Sequence, residues 1–403
     1  MLEGLSTYSD YQSLRTKLFR QFATRVELEN VTSYDDVLAF YKALKLHTIN
    51  MELPSVTNIN NQKLHYYDLT LYSRYQRQGH TLMDESIYGQ IYDQKQKLNE
   101  KAQALFTTNC QAANFAVLQV LNLIYPDAMI FNPSDRLYFE SDYIINRFKG
   151  LFKKPNQSKK IIFLDSSALL NEKDLLCFEQ HQDDCVAIIF DTSCFDRQGE
   201  YVSKVVSLAQ KLGLPLIMTR SHLKLDSLGH EYDSLGSIVV LNGTGSELFT
   251  KISEYVSHMG AFALINQIYP FLFDQDLKDL NSWRINCIRE NSNAIFPKLD
   301  YYKAEIGEYH KERLHRLNHV FMYKRERVEF VKAGERFVAL CKVYNIPGKF
   351  CDSFGFDFFS LTNVESFDQH NRGFLRFCSP VDSSQTQGAI NVINNLIKHL
   401  AIK

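Results

Sequence analysis

The stretch VAIIFDTSCFDRQGEYVSKVVSLAQKLGLPLIMTRSHLK, residues 186–224, decides the fold. Two short apolar runs, at 186–190 and 214–218, are typical of strands that are buried on both faces of a parallel sheet. Between them, apolar side chains recur at helical spacing from 200 to 212, and Gly213 follows as a C-cap. The stretch therefore predicts a βαβ unit.

Polar residues follow each of the two strands, where ligands bind in sheets of this kind. Asp191 and Ser193 follow the first strand, and Thr219, Ser221 and Lys224 follow the second. A carboxylate in such a place can keep a pyridine nitrogen protonated, a lysine amine can hold an aldehyde cofactor as a Schiff base, and hydroxyl groups can bind phosphate. An acid at a strand end and a lysine in a turn also suit an ordinary solvated loop.

At these residues the chain resembles the fold type I enzymes that depend on pyridoxal phosphate (PLP). The resemblance implies an α/β fold with a large domain, built on a mostly parallel seven-stranded sheet, and a smaller α+β C-terminal domain. It implies PLP as the cofactor and Lys224 as the Schiff-base lysine. The corresponding division of the chain is 1–75 as an N-terminal helical segment and interface arm, 76–295 as the PLP-binding domain and 296–403 as the C-terminal domain.

A Tyr-x-Arg element, Tyr72-Ser73-Arg74, lies before a helix that the sequence predicts to begin near Leu82. In the cysteine and methionine metabolism branch of fold type I, the branch of the cystathionine and methionine γ-lyases, such an element reaches the cofactor phosphate of the neighbouring subunit. Arginine suits that role because its planar fork is always charged. Aminotransferases often carry an arginine about eight residues after the lysine, and residues 229–234 contain none. The resemblance therefore favours the cysteine and methionine branch, and a surface arginine is the alternative.

The segment 94–124 predicts two helices that are interrupted at 107–111. The free N–H groups at the start of the second helix would form an anion site, and the resemblance assigns Asn109 and Cys110 to the cofactor phosphate. Relatives carry a glycine in this turn. Asn109 tolerates unusual backbone angles, so we expect the turn to form without glycine.

Two further elements complete the part that contacts the cofactor. In the Leu-Tyr element at 137–138, Tyr138 would stack on the pyridine ring and take part in proton transfer, with Phe139 as the alternate and a plain core aromatic as the competing interpretation. The predicted strand at 161–167 ends where relatives carry an asparagine that binds the ring hydroxyl. Here Asp165, Ser166 or Ser167 must substitute, and the sequence does not rank them.

Arg376 lies inside the second of two strands predicted at 353–361 and 373–380. A buried arginine is costly without an anionic partner, and the resemblance assigns Arg376 to the substrate α-carboxylate. The preceding region, from about 300, predicts charged helices. Its histidines, including His310, have near-helical spacing, but the interleaved charges favour a solvated face, and we expect no metal site.

Composition limits the remaining possibilities. The 403 residues have a formal net charge of −1, which favours no polyanionic partner, and no apolar run is long enough to span a membrane. Eight cysteines without a Cys-x-x-Cys pair suggest reduced thiols and a cytoplasmic protein. Residues 1 to about 65 are expected to be helical, with Ser33 as a helix cap.

The functional hypothesis is a PLP-dependent lyase or synthase. It would act on an L-amino acid through an α-carbanion, by elimination or replacement at the β or γ carbon. A PLP-dependent aminotransferase and a non-catalytic PLP-binding protein on a degraded fold are the alternatives. The resemblance implies a homodimer or a dimer of dimers with shared active sites, a small amino-acid substrate, and neither nucleic acid nor membrane as a partner.

Overall fold

The computed structural model describes residues 5–25, 62–66, 69–73, 81–83, 91–92, 102–133, 137–147, 158–165, 170, 172–197, 199–229, 234–242, 247–263, 272, 275–299, 318–324, 330–351, 353–364 and 372–401. Within these ranges the strands, in chain order, are β1 Gln62–Tyr66, β2 Leu69–Ser73, β3 Thr81–Met83, β4 Gln103–Thr107, β5 Ala128–Phe131, β6 Lys159–Asp165, β7 Cys185–Asp191, β8 Leu216–Ser221, β9 Gly236–Leu241, β10 Asn318–Lys324, β11 Gly348–Phe350, β12 Phe359–Val364 and β13 Arg372–Cys378. The α-helices of the same ranges are α1 Tyr8–Arg25, α2 Cys110–Ile124, α3 Phe139–Arg147, α4 Leu176–Gln180, α5 Glu200–Leu212, α6 Glu247–His258, α7 Gln275–Ile295, α8 Phe330–Val343 and α9 Thr386–Ala401.

The strands form one large sheet and two smaller ones. The large sheet has seven strands in the order β3-β4-β9-β8-β7-β6-β5. Strands β5, β6 and β7 pair in parallel, whereas β4 pairs antiparallel with both β3 and β9. A four-stranded sheet has the order β10-β13-β12-β11, and β1 pairs antiparallel with β2. These sheets and helices confirm the predicted α/β fold class.

The chain divides into two compact units, residues 1–124 with 217–283 and residues 125–216 with 284–403. In the first unit, α2 packs against β4, β9 and α6. In the second unit, α8 packs against α9, β11 and β12. The division of the chain at residues 75 and 295 stays a prediction.

Helix α5 has the bounds that the sequence pattern predicts, and its buried side chains follow the helical repeat: Tyr201, Val202, Val205, Val206 and Ala209. Gly213 ends the helix at φ +63°, in the left-handed region, and its N–H donates to the carbonyl of Gln210. Glycine adopts this conformation without the steric penalty that a Cβ brings. The predicted βαβ unit therefore has its expected helix and C-cap.

The core around the four-stranded sheet is aromatic and tightly packed. Phe337 of α8 lies 5.1 Å from Phe359 and 6.2 Å from Phe377, measured between ring centroids, and all three rings are fully buried. A Cβ on Gly348 would lie 2.2 Å from Sγ of Cys341, so β11 can approach α8 only with glycine at this position. Helix α9 also packs in this core.

Several predicted elements are wrong in type. The helix expected near Leu82 is strand β3, and the C-terminal part of the helix expected from 94 is strand β4. Pairing in the sheet decides both cases. Strand β4 lies between β3 and β9 and is buried on both faces. This burial outweighs the helix preference of its residues. Asn318–Lys324 is strand β10 and pairs with β13, where a helix was expected.

The ends of the predicted elements also need correction. Residues 353–358 precede strand β12 and are not part of it. At the other end of the chain, α1 agrees with the predicted helical segment, whereas Gln62–Tyr66 is strand β1. Ser33 and His310 lie outside the described residues.

Replacing Gly213 with alanine should lower the free energy of unfolding by about 1 kcal/mol, because alanine is strained at positive φ. Urea denaturation followed by circular dichroism measures the change. Lys211→Ala, at an exposed position of the same helix, should stay within about 0.5 kcal/mol of the unmodified protein. Equal effects of the two substitutions would contradict a left-handed cap at Gly213.

Candidate active site

The segment that carries Lys224 follows strand β8 in the first unit. The sequence predicts a polar turn here, but most of the segment is buried. His222, Leu225, Asp226 and the two residues that follow are each no more than 3% exposed, whereas Lys224 is half-buried. The lysine therefore projects from a segment that the protein interior holds in place, not from a solvated loop.

A buried network of charged and polar groups holds this segment. Arg220, at the end of β8, donates to both carboxylate oxygens of Asp226, from Nε at 2.7 Å and from Nη2 at 2.8 Å. Nδ1 of His222 donates to the same carboxylate at 2.7 Å, and Nε2 of His222 lies 2.9 Å from Oγ of Ser237 in β9. Because these four side chains are buried and hydrogen-bonded to one another, the path of the chain on both sides of Lys224 is fixed.

The start of α2 has the turn that was expected to bind phosphate. Asn109 caps the helix, because its Oδ1 accepts from the N–H of Ala112 at 2.7 Å. Asn109 is not among the described residues at positive φ, so the turn forms here without unusual backbone angles at this position. The glycine that lets the turn pack closely is Gly236 of the neighbouring strand β9, where a Cβ would lie 2.5 Å from the carbonyl of Asn109. Cys110 begins the helix and is buried.

The two hydroxyl residues predicted at β8 have different surroundings. Thr219 is fully buried, and its Oγ1 donates to Oδ1 of Asn114 in α2 at 2.6 Å, which ties β8 to α2. Ser221 is the last residue of β8 and is half-buried. Their roles in cofactor binding stay predictions, and Ser221 is the more accessible of the two.

In the second unit, two buried carboxylates end adjacent parallel strands. Asp165 ends β6 and Asp191 ends β7, and the two are paired in the register of the sheet. Asp191 is 5% exposed, and its Oδ1 accepts from the N–H of Ser193 at 2.8 Å. The carboxylate of Asp191 is thus oriented by the turn that follows its own strand, and its role toward a cofactor stays a prediction.

Tyr138 lies just before α3, where Asp165 holds its backbone. The N–H of Tyr138 donates to Oδ2 of Asp165 at 2.6 Å. Burial raises the pKa of the Tyr138 hydroxyl well above its ordinary value, Glu140 raises it further, and Arg376 opposes the shift. The hydroxyl is therefore an even weaker acid than an ordinary phenol, which already keeps its proton at neutral pH. Phe139, the alternate for the stacking role, is exposed at 38%.

Arg376 lies in strand β13 and is 7% exposed. Its guanidinium carbon lies 4.1 Å from the centroid of the Phe354 ring, and its Nη1 lies 3.9 Å from Sγ of Cys194. Its Nε has no hydrogen-bond partner, and within the described parts of the chain no carboxylate lies at ion-pair distance from it. Arg376 is therefore a buried cation with donors available for an anion.

Some predicted site residues cannot be compared with the structure. Arg74, Ser166 and Ser167 lie outside the described residues. Tyr72 lies in strand β2, opposite Lys63, but only its backbone is described. The Tyr-x-Arg element therefore stays a prediction.

Sequence reasoning missed the residues that support the site. In the first unit they are Arg220, His222, Asp226 and Ser237. In the second unit they are Cys194, Phe354, Arg284 and Asp357. One signal was present, because Arg220 directly follows the apolar run LIMT and therefore had to be buried beside an acid.

Three chemical features of the chain complete the description. The eight cysteines are free thiols, and six of them are buried. Among the residues with described positions, no group of three or more histidine, cysteine or acidic side chains could hold a metal ion. No helix in the described ranges is long and apolar enough to cross a membrane.

The fold belongs to the fold type I class of architecture. The chain is similar to the crystal structure of cystathionine gamma synthase from Xanthomonas oryzae pv. oryzae in complex with aminoacrylate and cysteine, with 14% identity, 87% of this chain and 93% of that chain covered, and a TM-score of 0.56. The same enzyme in complex with cystathionine gives 13% identity, the same coverage and a TM-score of 0.50. An aspartate aminotransferase from Thermotoga maritima gives 12% identity, 96% coverage of both chains and a TM-score of 0.48. The chain matches no protein-family model and no curated protein sequence.

Replacing Asp226 with alanine should lower the free energy of unfolding by about 3 to 5 kcal/mol, because it removes the carboxylate that compensates the buried charge of Arg220. The double variant Arg220→Met with Asp226→Leu should recover most of the loss, because it removes both charges. Chemical denaturation measures both.

The exposed pair between Lys251 and Glu247 provides the control. Lys251→Ala should change stability by less than about 1 kcal/mol. If Asp226→Ala is as mild as Lys251→Ala, then the Arg220–Asp226 pair does not hold the Lys224 segment.

Proposed function

We propose that the protein is a PLP-dependent enzyme that removes the α-proton of an L-amino acid and then eliminates or replaces a group at the β or γ carbon. The observation that carries the proposal is Arg376, a buried guanidinium with no acidic partner among the described residues. An uncompensated buried charge is costly, so a ligand that supplies an anion would explain why arginine occupies this position. The α-carboxylate of an amino acid is such an anion.

The likeness in fold supports the same class of substrate. The similar cystathionine gamma synthase structures hold aminoacrylate with cysteine, or cystathionine. Each of these molecules has a carboxylate. Cysteine and cystathionine carry a sulfur group at the β or γ carbon, and aminoacrylate is an amino acid that has lost its β group. This likeness favours elimination or replacement for the present chain, and it leaves the particular amino acid open.

The side chains of the chain fit PLP in their chemistry. The buried carboxylate of Asp191 suits a protonated pyridine nitrogen, and the half-buried amine of Lys224 suits the aldehyde carbon. Ser221 and the N–H groups at the start of α2, after Asn109, suit a phosphate. When bound, PLP would supply an electron sink for negative charge that develops at the substrate α-carbon.

The proposed roles of the residues follow from their chemistry. Lys224 would hold the cofactor in the resting protein and, once released by the substrate amine, would take the α-proton through Nζ. Arg376 would fix the substrate carboxylate through two in-plane N–H donors. Tyr138 keeps its proton at neutral pH, so its hydroxyl would donate to a leaving group or to the cofactor. Asp191 would pair with the pyridine nitrogen of the cofactor.

We infer that the enzyme is a homodimer or a dimer of dimers in the cytoplasm. The resemblance of Tyr72-Ser73-Arg74 to the Tyr-x-Arg element supports shared sites, in which Arg74 of one subunit binds the phosphate held by the other. The eight cysteines, none of which forms a disulfide, support a reducing compartment.

Lys224→Ala should fold normally but lose the absorbance of covalently held PLP, because no other amine would occupy that place. The first measurement is the absorbance of the protonated Schiff base, at roughly 400 nm. Borohydride reduction and mass spectrometry then identify the labelled peptide. Lys251→Ala, an exposed lysine on α6, is the matched control and should label normally. Labelling of the Lys224→Ala protein at one other specific lysine would show that the assignment is wrong.

The reaction class is tested with the same holoenzyme and a panel of amino acids that carry β or γ leaving groups. Elimination releases an α-keto acid without any keto-acid acceptor, and replacement requires an added nucleophile. An aminotransferase forms keto acid in multiple turnovers only when an acceptor is supplied. A protein that binds PLP at Lys224 and gives neither result is a non-catalytic binder.

The shared site predicts complementation between two inactive variants. Arg74→Ala should weaken PLP affinity about ten- to hundredfold, because it removes a charge-assisted contact worth about 1.5 to 3 kcal/mol. When the Arg74→Ala and Lys224→Ala proteins are mixed under conditions that exchange subunits, the mixture should regain activity at limiting PLP. One site of each hybrid dimer then has both Arg74 and Lys224. Hybrids that form, as native mass spectrometry shows, and yet stay inactive would rule out the shared site.

A further inference from the structure

We propose that Phe354 and Arg284 are positioning residues for the carboxylate site at Arg376. Phe354 fixes the plane of the Arg376 guanidinium, and Arg284 fixes the segment that presents Phe354. The inference rests on the proposed function, since it concerns how Arg376 binds the substrate carboxylate.

The contact between Phe354 and Arg376 leaves the hydrogen-bond donors of the arginine available. The guanidinium carbon lies 4.1 Å from the ring centroid, and Phe354 is only 2% exposed. At this distance the ring attracts the cation through its π electrons. This contact uses the positive charge of the guanidinium and needs no acidic partner, so it leaves in-plane N–H donors available for an anion. Phe354 can therefore orient Arg376 and leave its N–H donors to the anion. An acidic neighbour would instead compete with the anion for those donors.

Arg284 holds the segment that carries Phe354 at two points. Its Nε donates to Oδ1 of Asp357 at 2.5 Å, and its Nη2 donates to the carbonyl of Gly355. Arg284 is fully buried in α7, and the side chain of Asp357 is 11% exposed. Both hydrogen bonds are donated by one planar guanidinium group on a long helix, so they fix the backbone directly after Phe354.

The remaining contacts of the segment confirm that its course is fixed. Gly355 has φ +86°, a conformation that glycine adopts readily. Before Phe354, the carbonyl of Ser353 accepts from Oγ1 of Thr362 at 3.2 Å. After it, the carbonyl of Asp357 accepts from the N–H of Val381 at 3.0 Å. The ring of Phe354 therefore approaches Arg376 from a segment that is anchored on both sides.

Preorganisation gives the expected size of the effect. An arginine that is free to change rotamer must be immobilised when a ligand binds, whereas Arg376 is already held by the ring. Losing that restraint should weaken the binding of a carboxylate about two- to tenfold. It should change the affinity of a neutral isostere of the same shape very little, because such a ligand does not use the charge.

The experiment measures the binding of propionate and of propionamide to the PLP-loaded full-length protein by calorimetry. Phe354→Leu keeps an apolar side chain but removes the ring face, and it should weaken propionate binding about two- to tenfold. Phe356→Leu is the matched control, because Phe356 lies in the same segment and stacks on Phe358, 4.8 Å away. Its propionate affinity should stay within about twofold of the unmodified protein.

Two further variants separate positioning from binding. Arg376→Met should abolish the preference for propionate over propionamide, because it removes the charge itself. Arg284→Lys keeps the charge but cannot make both hydrogen bonds, to Asp357 and to the carbonyl of Gly355. It should therefore weaken propionate binding about as much as Phe354→Leu does. It should also raise KM for the amino-acid substrate more than it lowers kcat. Thermal unfolding of each variant shows that the folded protein is being compared.

The outcomes distinguish this inference from the proposed function. If the unmodified protein binds propionate no better than propionamide, then Arg376 does not bind carboxylates, and both proposals fail. If the preference exists and depends on Arg376 but persists at full strength in folded Phe354→Leu protein, then only the positioning role is overturned. A loss in Phe356→Leu as large as that in Phe354→Leu overturns it as well, because the effect would then belong to the whole segment.

Discussion

The course of the chain around Lys224 depends on the buried ion pair between Arg220 and Asp226. The pair closes a short loop, since the two residues are six positions apart, and Lys224 lies inside it. A buried ion pair seldom adds net stability over an apolar pair of the same size, but it tolerates little variation in geometry. His222 and Ser237 extend the pair to the neighbouring strand. The position of the lysine is thus determined by electrostatics in the interior, not by the shape of a surface turn.

Three of the buried arginines differ in the partner of the guanidinium group. Arg220 and Arg284 each face a buried or nearly buried aspartate, so their charges are compensated within the protein. Arg376 is buried to a similar degree, yet it faces a phenyl ring and a thiol. Of these three arginines, Arg376 alone has no acidic partner among the described residues. This difference is the reason to propose Arg376 as the ligand-binding group and the other two as structural ones.

Sequence patterns were sufficient where periodicity and local chemistry agree. Helix α5 and its cap at Gly213 could be predicted because a βαβ unit is specified by contiguous residues. The first strand also ends within one residue of its predicted end, at Asp191. The second strand was predicted at 214–218 but runs to Ser221, so Thr219 and Ser221 lie in the strand and not beyond it. Strand β4 could not be predicted, because its residues favour a helix and only its two neighbours in the sheet make it extended. Local preference is weak compared with the burial of a central strand.

The candidate site shows the same limit. Lys224 and Asp191 were proposed from their positions after predicted strands, and Arg376 from its position inside one; their roles stay predictions. Their supporting residues were not proposed, because contacts such as that between Arg284 and Asp357 join residues 73 positions apart, and no spacing rule connects them. Phe354 and Arg376 are likewise separated in the sequence by strand β12, and no local sequence pattern predicts their contact.

Gly236 has a consequence for how distant relatives of this chain can be recognised. The turn before α2 needs one residue without a side chain, and here the neighbouring strand provides it, while Asn109 does the capping. The clash would be with the carbonyl group of Asn109, so the residue at position 236 must lack a side chain whatever residue occupies position 109. A search pattern that demands glycine in the turn itself would reject this chain, although its close approach is provided by the neighbouring strand. In homologues that keep this turn, position 236 should therefore stay glycine while position 109 varies among residues that can cap a helix.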